Sequence, residues 1–456
     1  MSNSHLTPHS TQCIEQRSCN EEMPLGLLRY APDQLQGAAI MHSEKVWYLF
    51  TEPLCSVTFA KGSFTIRTHN ETKSTPYTIE QLNYWCGAAL EQQSPRSVPH
   101  ATIAIAYEFL HAIEEIPRAS SDPIGAPDLV ITIYRTVRKF EGGILTVFRH
   151  TFTEFTEPLW CDSSTTSAVV PREKRNPTHK NGDSLAPYDT ATKARYAEVI
   201  ESIKRAIYKG DVYQVNFARH FATRFIGNPY ALWLSLIGAA PAPYSALLIG
   251  DMVHMPTIIS NSPELFFTIE NKEITCSPIK GTRMRGSTAI EDATLKESLL
   301  SSTKDRAELA MVVDVVRNDL AHIANVDSIR VHNHARCETF TQAHHLVTEV
   351  RATIAPECTF ADIIRALFPC ASITGAPKIA AMKEITRHEE AARGFFCGAI
   401  GMIGSGYAQF SVAIRIAQLT RGCLHFHAGS GVTIKSDAED EYEECSVKAL
   451  QFLKAL

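Results

Sequence analysis

No apolar run in this 456-residue chain is long enough to cross a membrane as a helix. Its 12 cysteines form no Cys-x-x-Cys pair and no Cys/His spacing of the metal-binding kind. Zinc-ribbon and thioredoxin-like chemistry are therefore excluded, and the scattered thiols are expected to be reduced, as in a cytoplasmic protein. The N-terminus lacks the basic-then-apolar pattern of a secretory leader, which points the same way. There is no excess of positive charge. The net charge of −5 argues against a general nucleic-acid binder. No internal repeat is detectable, so solenoid and propeller architectures are set aside.

What is present is ordinary globular composition, 45% hydrophobic and 20% charged. The length allows two or three domains, or one large intertwined unit with a well-buried core. Residues 1–22, rich in Ser, Asn, Gln, His and Glu, read as a disordered or loosely docked tail. Residues 23–165 form a strand-rich region with runs such as Val46-Trp47-Tyr48-Leu49-Phe50 and Val130-Ile131-Thr132-Ile133-Tyr134. Residues 166–190 are dominated by Ser, Thr, Pro, Asn, Lys and Gly and read as an exposed connection. The remainder, 191–456, mixes strands and helices. Tyr196, Val199, Ile200, Ile203 and Ile207 recur at helical spacing before Gly210, and Val212–Ala218 reads as a strand. Hairpins mixed with helices indicate an α+β fold and not a doubly wound parallel sheet.

The densest chemistry begins at Cys276-Ser277-Pro278-Ile279-Lys280-Gly281-Thr282-Arg283. Upstream, Leu265–Ile269 reads as a strand, Asn271-Lys272 as a turn, and Glu273–Cys276 as the returning strand. Lys280 is thus expected on a loop where the chain leaves a sheet, with Glu264 on a neighbouring strand of the same hairpin. A lysine can act as a nucleophile if burial or a nearby cation such as Arg283 lowers its pKa, and an adjacent acid can protonate a leaving group. A lone lysine is more often a surface residue, and a Glu–Lys pair more often an edge-strand ion pair. Glu308 lies on a helix whose stripe is Leu309, Val312, Val313 and Val316. In Ser372-Ile373-Thr374-Gly375-Ala376-Pro377-Lys378, Pro377 suits the first helical position, and the turn offers N–H groups and the Thr374 hydroxyl to an anion. His427-Ala428-Gly429-Ser430-Gly431 permits close backbone approach to a ligand. Glu441, Glu444 and Lys448 share one helix face. With Glu308 the two carboxylates suit a hard cation such as Mg²⁺, though a surface Glu444–Lys448 pair accounts equally well for that spacing.

Singly these motifs are weak, but their order is specific. Gly210-Asp211-Val212-Tyr213-Gln214-Val215-Asn216, Ser262-Pro263-Glu264, Pro278-Ile279-Lys280-Gly281-Thr282, Asp305-Arg306-Ala307-Glu308, His345-Leu346-Val347, Thr374-Gly375-Ala376-Pro377-Lys378, Cys397-Gly398-Ala399-Ile400-Gly401, Ile414-Arg415 and the terminal Gly-rich and Glu-x-x-Glu segments follow one another. The series resembles the chorismate-utilising enzymes. It is dense over roughly residues 195–450 and sparse before them. The resemblance implies an α+β fold with a large two-sheet β-sandwich core and helices packed outside, the two ends of the chain sharing one body.

The resemblance also implies chemistry. Lysine in Pro-Ile-x-Gly-Thr is similar to the aminodeoxychorismate synthases, where anthranilate synthases usually carry Ala. Gln214 stands where the isochorismate and salicylate synthases have a water-activating lysine. Lys280 would then attack C2 of chorismate as the C4 hydroxyl leaves, with Glu264 as proton donor, and ammonia would attack C4 and expel the lysine from C2. Glu308 and Glu444, with Glu441 close by, match the Mg²⁺ ligands. Thr374, Arg415, Gly431 and Lys448 match substrate-carboxylate contacts, and His345 the histidine near the reacting face. The glutaminase pattern Gly-x-Cys-x-Gly is missing, which implies a separate glutamine amidotransferase subunit. No Leu-Leu-Glu-Ser segment occurs, so tryptophan inhibition is not expected. The rivals are an anthranilate synthase component I and a non-catalytic chorismate-binding subunit.

Overall fold

Two long strands, Val46–Ala60 and Leu129–Glu141, pair along most of their length and sit at the middle of the molecule's sheet. Both are rich in β-branched and aromatic residues, the sequence character of strands buried on both faces. The computed structural model describes residues 8, 10–18, 37–60, 62–68, 70–76, 78–91, 98–152, 188–189, 192–250 and 255–455. Within them, 22 strands join into one antiparallel hydrogen-bonded network, with helices added around it. The class is α+β as expected, and the strands expected as two sheets are joined through shared neighbours.

From the central pair the network runs out in two arms. One passes from Leu129–Glu141 through Ala101–Ile105, Ala399–Gly404, Tyr407–Val412, Leu265–Glu270 and Glu273–Cys276 to Ala343–Thr353. That last strand also pairs with Ile279–Met284 and Arg330–Thr339. The other passes from Val46–Ala60 through Ala39–Ser43, Tyr244–Leu248, Thr257–Ser262, Ile416–Thr420 and Cys423–Val432 to Gln214–Arg224. The chain makes two tight crossings between the arms, at Ser262-Pro263-Glu264 and at Ala413-Ile414-Arg415, besides the longer passage in which Gly375–Ala376 pairs with Gln214–Arg224. The crossings lie side by side: the Val412 N–H donates to the Glu264 carbonyl at 3.1 Å and the Asn261 N–H to the Arg415 carbonyl at 3.0 Å.

The boundary drawn near residue 165 is thus one of composition. Strands from 39–141 stand between strands from 244–432, so both parts of the chain build one network. The expected tail is corrected for part of its length. Ser10–Ser18 is a strand paired with Ile144–Thr151, because an edge strand can recruit polar residues through backbone hydrogen bonds alone. Most of 166–190 lies outside the described residues. The helix predicted before Gly210 spans Lys193–Lys209 and buries Tyr196, Val199, Ile200 and Ile203. Helix Thr303–Ala321 buries Leu309, Val312, Val313 and Val316 as its stripe predicts, each worth about 1.5–3 kcal/mol when removed from water. No helix among the described residues is long and apolar enough to cross a membrane.

Candidate active site

The two ends of the network and the two crossings bring the singled-out residues together. Lys280 does not lie on a loop, and it is not on a neighbouring strand of the hairpin that follows Glu264. It lies within strand Ile279–Met284, which pairs with Ala343–Thr353. The register slips between Lys280 and Thr282, with Gly281 at φ 75° as the extra residue of a bulge. That conformation suits glycine, and a side chain there would also run into the Asp305 Cβ at 2.9 Å. The bulge bends the strand at Lys280.

Glu264 sits at the first crossing, only 5% exposed. The Ser262 hydroxyl donates to the Val412 carbonyl at 2.6 Å and accepts the Glu264 N–H at 3.2 Å, fixing the backbone there. The Glu264 carboxylate accepts the Ile279 N–H at 3.3 Å. Burial pushes its pKa up to about 7, against the Ser372 hydroxyl, the Lys280 charge and the Ile279 N–H, which favour the ionised form. Burial lowers the Lys280 pKa, while Glu264 and Glu308 raise it and Lys448 lowers it further. Removal from water thus drives acid and amine toward their neutral forms. The Lys280 Nζ donates to the Ser372 carbonyl at 3.0 Å. Arg283, expected as a helping cation, is instead paired with Asp305 at 3.0 Å.

His345, buried in strand Ala343–Thr353, has its Nδ1 2.9 Å from the Thr282 hydroxyl. Burial, with nearby Arg415, pushes its pKa down to about 4, so the ring is neutral near pH 7. Arg415 lies at the second crossing with φ 51°. Burial lowers its pKa, and its guanidinium has no ion-pair partner among the described residues. Gln214 and Gly431 belong to paired strands at the end of the other arm. They approach so closely that a Cβ on Gly431 would lie 2.3 Å from the Gln214 Nε2.

The Thr374 hydroxyl is not offered to a ligand as expected. It is fully buried and donates to the Cys370 carbonyl at 3.2 Å or the Ala371 carbonyl at 3.4 Å, closing its own turn. Pro377 is likewise one place earlier than predicted, as the N-cap of helix Lys378–His388. Lys378 reaches back to Asp319 at 2.6 Å and to the Leu367 carbonyl at 3.1 Å, anchoring this turn to helix Thr303–Ala321.

The proposed cation ligands are partly assembled. Glu308 is half-buried, and burial raises its pKa, with Lys280 and Lys304 opposing and Asp305 and Glu441 adding. Glu441 stands on helix Ala438–Ala455. Glu444 on that helix is paired with Lys448 at 2.6 Å, and Lys448 also donates to the Gly429 carbonyl at 2.8 Å. No three acidic, His or Cys side chains converge on a metal position among the described residues. The donor chemistry fits a hard cation, and holding one requires Glu444 to turn from Lys448 toward Glu308.

Two features escaped the sequence reading. Ser372, within a motif already singled out, contacts both Glu264 and Lys280. Arg393, 1% exposed, forms a fork with Glu389 at 2.8 and 2.6 Å and donates to the Asn216 carbonyl at 2.9 Å. Glu389 also accepts the Ala218 N–H at 2.8 Å. This buried pair fixes strand Gln214–Arg224, which carries Gln214. Its members are charged residues in a sequence stretch with no periodic pattern, so nothing in the sequence signalled burial.

The family model described as chorismate binding enzyme matches residues 38–454. Aminodeoxychorismate synthase component 1 of Escherichia coli (strain K12) is 30% identical over 411 residues, covering 89% of this chain and 88% of that protein. Anthranilate synthase component 1 of Aquifex aeolicus is 36% identical over 266 residues, covering 58% of this chain and 53% of that protein. The crystal structure of anthranilate synthase component I from Streptococcus pneumoniae superposes with a TM-score of 0.73 at 25% identity, covering 90% of this chain and 92% of that one. The menaquinone-specific isochorismate synthase of Escherichia coli shares the fold, with a TM-score of 0.69 at 17% identity over 99% of this chain and 95% of its own. A family match over residues 38–454, together with a relative 30% identical over 89% of this chain, places this protein in the chorismate-binding enzyme family.

Proposed function

We propose that this chain aminates chorismate at C4, giving 4-amino-4-deoxychorismate for 4-aminobenzoate and folate synthesis. The observation that carries the reading is the half-buried Lys280 beside the buried Glu264 acid, both driven toward neutrality by loss of water. In the first step the neutral amine forms a bond to C2, the ring double bonds shift, and the C4–O bond breaks. Glu264 gives its proton to the departing hydroxyl, which leaves as water. In the second step ammonia bonds to C4, the double bonds return, and the C2–N bond breaks to release the lysine amine. The Glu264 carboxylate takes the surplus proton from the new C4 ammonium, restoring the starting state.

Arg415, half-buried and without an ion-pair partner among the described residues, suits a substrate carboxylate, and Lys448 offers a second cation. His345 is held as a neutral ring near Arg415, Gln214 and Gly431 lie against each other on paired strands, and the Thr374 hydroxyl closes its own turn. Glu308 and Glu444, with Glu441, would hold Mg²⁺, which supplies positive charge to a ring carboxylate when bound. Ammonia comes from a separate glutamine amidotransferase subunit in this reading, and the chain works in the cytoplasm.

An anthranilate synthase is the second reading, supported by relatives of comparable identity. Product analysis separates the two. The purified chain is incubated with chorismate, Mg²⁺ and excess ammonium, with and without an aminodeoxychorismate lyase. Release of 4-aminobenzoate only with the lyase is the expected result. Anthranilate without the lyase would overturn the reading, and no product from any ammonia source would favour a binding subunit.

A further inference from the structure

The bulge beside Lys280 is fastened to the helix that carries Glu308. Gly281, its extra residue, packs so closely on the first turn of helix Thr303–Ala321 that a Cβ there would lie 2.9 Å from the Asp305 Cβ. Arg283 stands two residues past Gly281. Its guanidinium donates to the Asp305 carboxylate at 3.0 Å and, from the other terminal nitrogen, to the Thr282 carbonyl at 2.9 Å. The Thr282 hydroxyl in turn lies 2.9 Å from the His345 Nδ1. Asp305 is itself held. The Ser302 hydroxyl that caps the helix accepts its N–H at 3.2 Å, and its side chain is 14% exposed. Glu308 follows one turn later on the same helix. The ion pair thus joins the strand of Lys280 to the helix of Glu308 at the point where the strand is irregular. A bulge leaves its extra residue out of the ladder, so its backbone is held less firmly by the sheet alone.

We infer that Arg283 and Asp305 are positioning residues, their ion pair clamping the bulge against helix Thr303–Ala321 and so setting the aim of the Lys280 amine. The clamp rests on the proposed reading of Lys280 as nucleophile. Magnitudes then separate aim from stability. The Arg283 side chain is 33% exposed, and ion pairs open to solvent add little to stability. A displacement of about 1 Å at a reacting group, by contrast, can cost about a hundredfold in rate. Charge alone would act differently from a clamp. Asp305 and Glu308 are neighbours on one helix face, and removing the Asp305 charge or the Arg283 charge would shift the field there in opposite senses. Loss of the clamp lowers the rate whichever partner is removed.

Arg283→Met keeps the aliphatic stem and loses the guanidinium. Asp305→Leu keeps the branched shape against Gly281 and loses the acceptor. Each should lower kcat about tenfold to a hundredfold, with KM for chorismate within about threefold and the denaturation midpoint close to the parent's. The double variant should be no slower than the slower single one, because both break the same clamp. Asp305→Asn has no charge but keeps an acceptor, and its rate should fall between Asp305→Leu and the parent. With ammonia withheld, Lys280 bonds to C2 as water leaves. Intact mass spectrometry of the chain with chorismate and Mg²⁺ should show this adduct, chorismate less water, forming more slowly in Arg283→Met and Asp305→Leu. A kcat within about threefold of the parent in either, opposite changes in the two, or additive losses in the double variant would overturn the inference. So would Asp305→Asn as slow as Asp305→Leu, an adduct formed at the parent's rate, or a midpoint that falls in step with kcat. If the unmodified chain forms neither adduct nor C4-aminated product, the functional reading has failed and the clamp falls with it, which the same assay reports separately.

Discussion

The Glu264 carboxylate accepts the backbone N–H of Ile279, the residue immediately before Lys280, at 3.3 Å. Acid and amine are thereby coupled through one peptide unit, though Glu264 stands at a crossing between arms and Lys280 on a strand at the end of one. Replacing the amine should not disturb that contact. Lys280→Ala is expected to lower amination at least about a thousandfold while chorismate affinity, measured by calorimetry, changes little. A rate within tenfold of the original would remove the covalent route.

Glu264 also makes a prediction about stability. Its folded pKa of about 7 lies above the unfolded carboxylate value, so between those values the folded chain binds more protons than the unfolded one. Stability contributed by this group is then present at acid pH and lost as pH rises through about 7. Glu264→Gln abolishes the titration and keeps an acceptor for Ile279. Its stability relative to the parent should increase by roughly 1–3 kcal/mol from pH 5 to pH 8, read by chemical unfolding. A constant difference across that range would show that Glu264 titrates normally. Glu264→Gln should also lower kcat about a hundredfold or more.

Gly431→Ala should disturb the contact between Gly431 and Gln214. The new methyl group would meet the Gln214 Nε2 at 2.3 Å, so Gln214 or its strand must move. The clashing atom is the far end of a flexible side chain, so Gln214 can swing aside and the cost to stability is expected to be small. The expected outcome is a raised KM for chorismate with a smaller change in stability than in activity. Gln214→Ala in the same background should relieve the clash and recover part of the binding, which a clash elsewhere would not allow.

The Arg393–Glu389 pair should be the most sensitive buried charge in the molecule. Glu389→Leu leaves a guanidinium that is 1% exposed without its carboxylate. Such half-removals destabilise by about 3–5 kcal/mol. The denaturation midpoint should fall accordingly, and Glu389→Leu combined with Arg393→Met should regain much of the loss. If the double variant is no better than the single one, the pair's geometry and not its charge is what matters.

Much of this site was legible because its chemistry is compressed into short motifs. Asn271 and Lys272 turn with φ of 52° and 66°, as the hairpin pattern requires, and the stripe of helix Thr303–Ala321 falls on the predicted residues. What could not be read was the long-range pairing. Sequence gives the face a strand presents but not its partner, so it places Lys280 on a loop leaving the preceding hairpin, whereas the residue lies in a strand whose neighbour is Ala343–Thr353, some sixty residues onward. The hydroxyl of Thr374 was misread for a similar reason. A Thr before a helix suits both a ligand and its own turn, and only the carbonyls of Cys370 and Ala371 decide between them. Arg393 and Glu389 were invisible because a buried ion pair and an exposed one have the same letters.

The central placement of Val46–Ala60 and Leu129–Glu141 has a consequence for how the chain can be divided. These strands form the hydrogen-bonded span between the arm ending at Lys280 and the arm ending at Gly431. A fragment beginning near residue 190 would carry every residue assigned to chemistry, yet it would lack the paired strands that join its two arms by hydrogen bonds. Expressed alone, such a fragment is expected to be inert. Supplied with the missing front half in trans, it should recover function in proportion to reassociation, as an enzyme split into complementing pieces does.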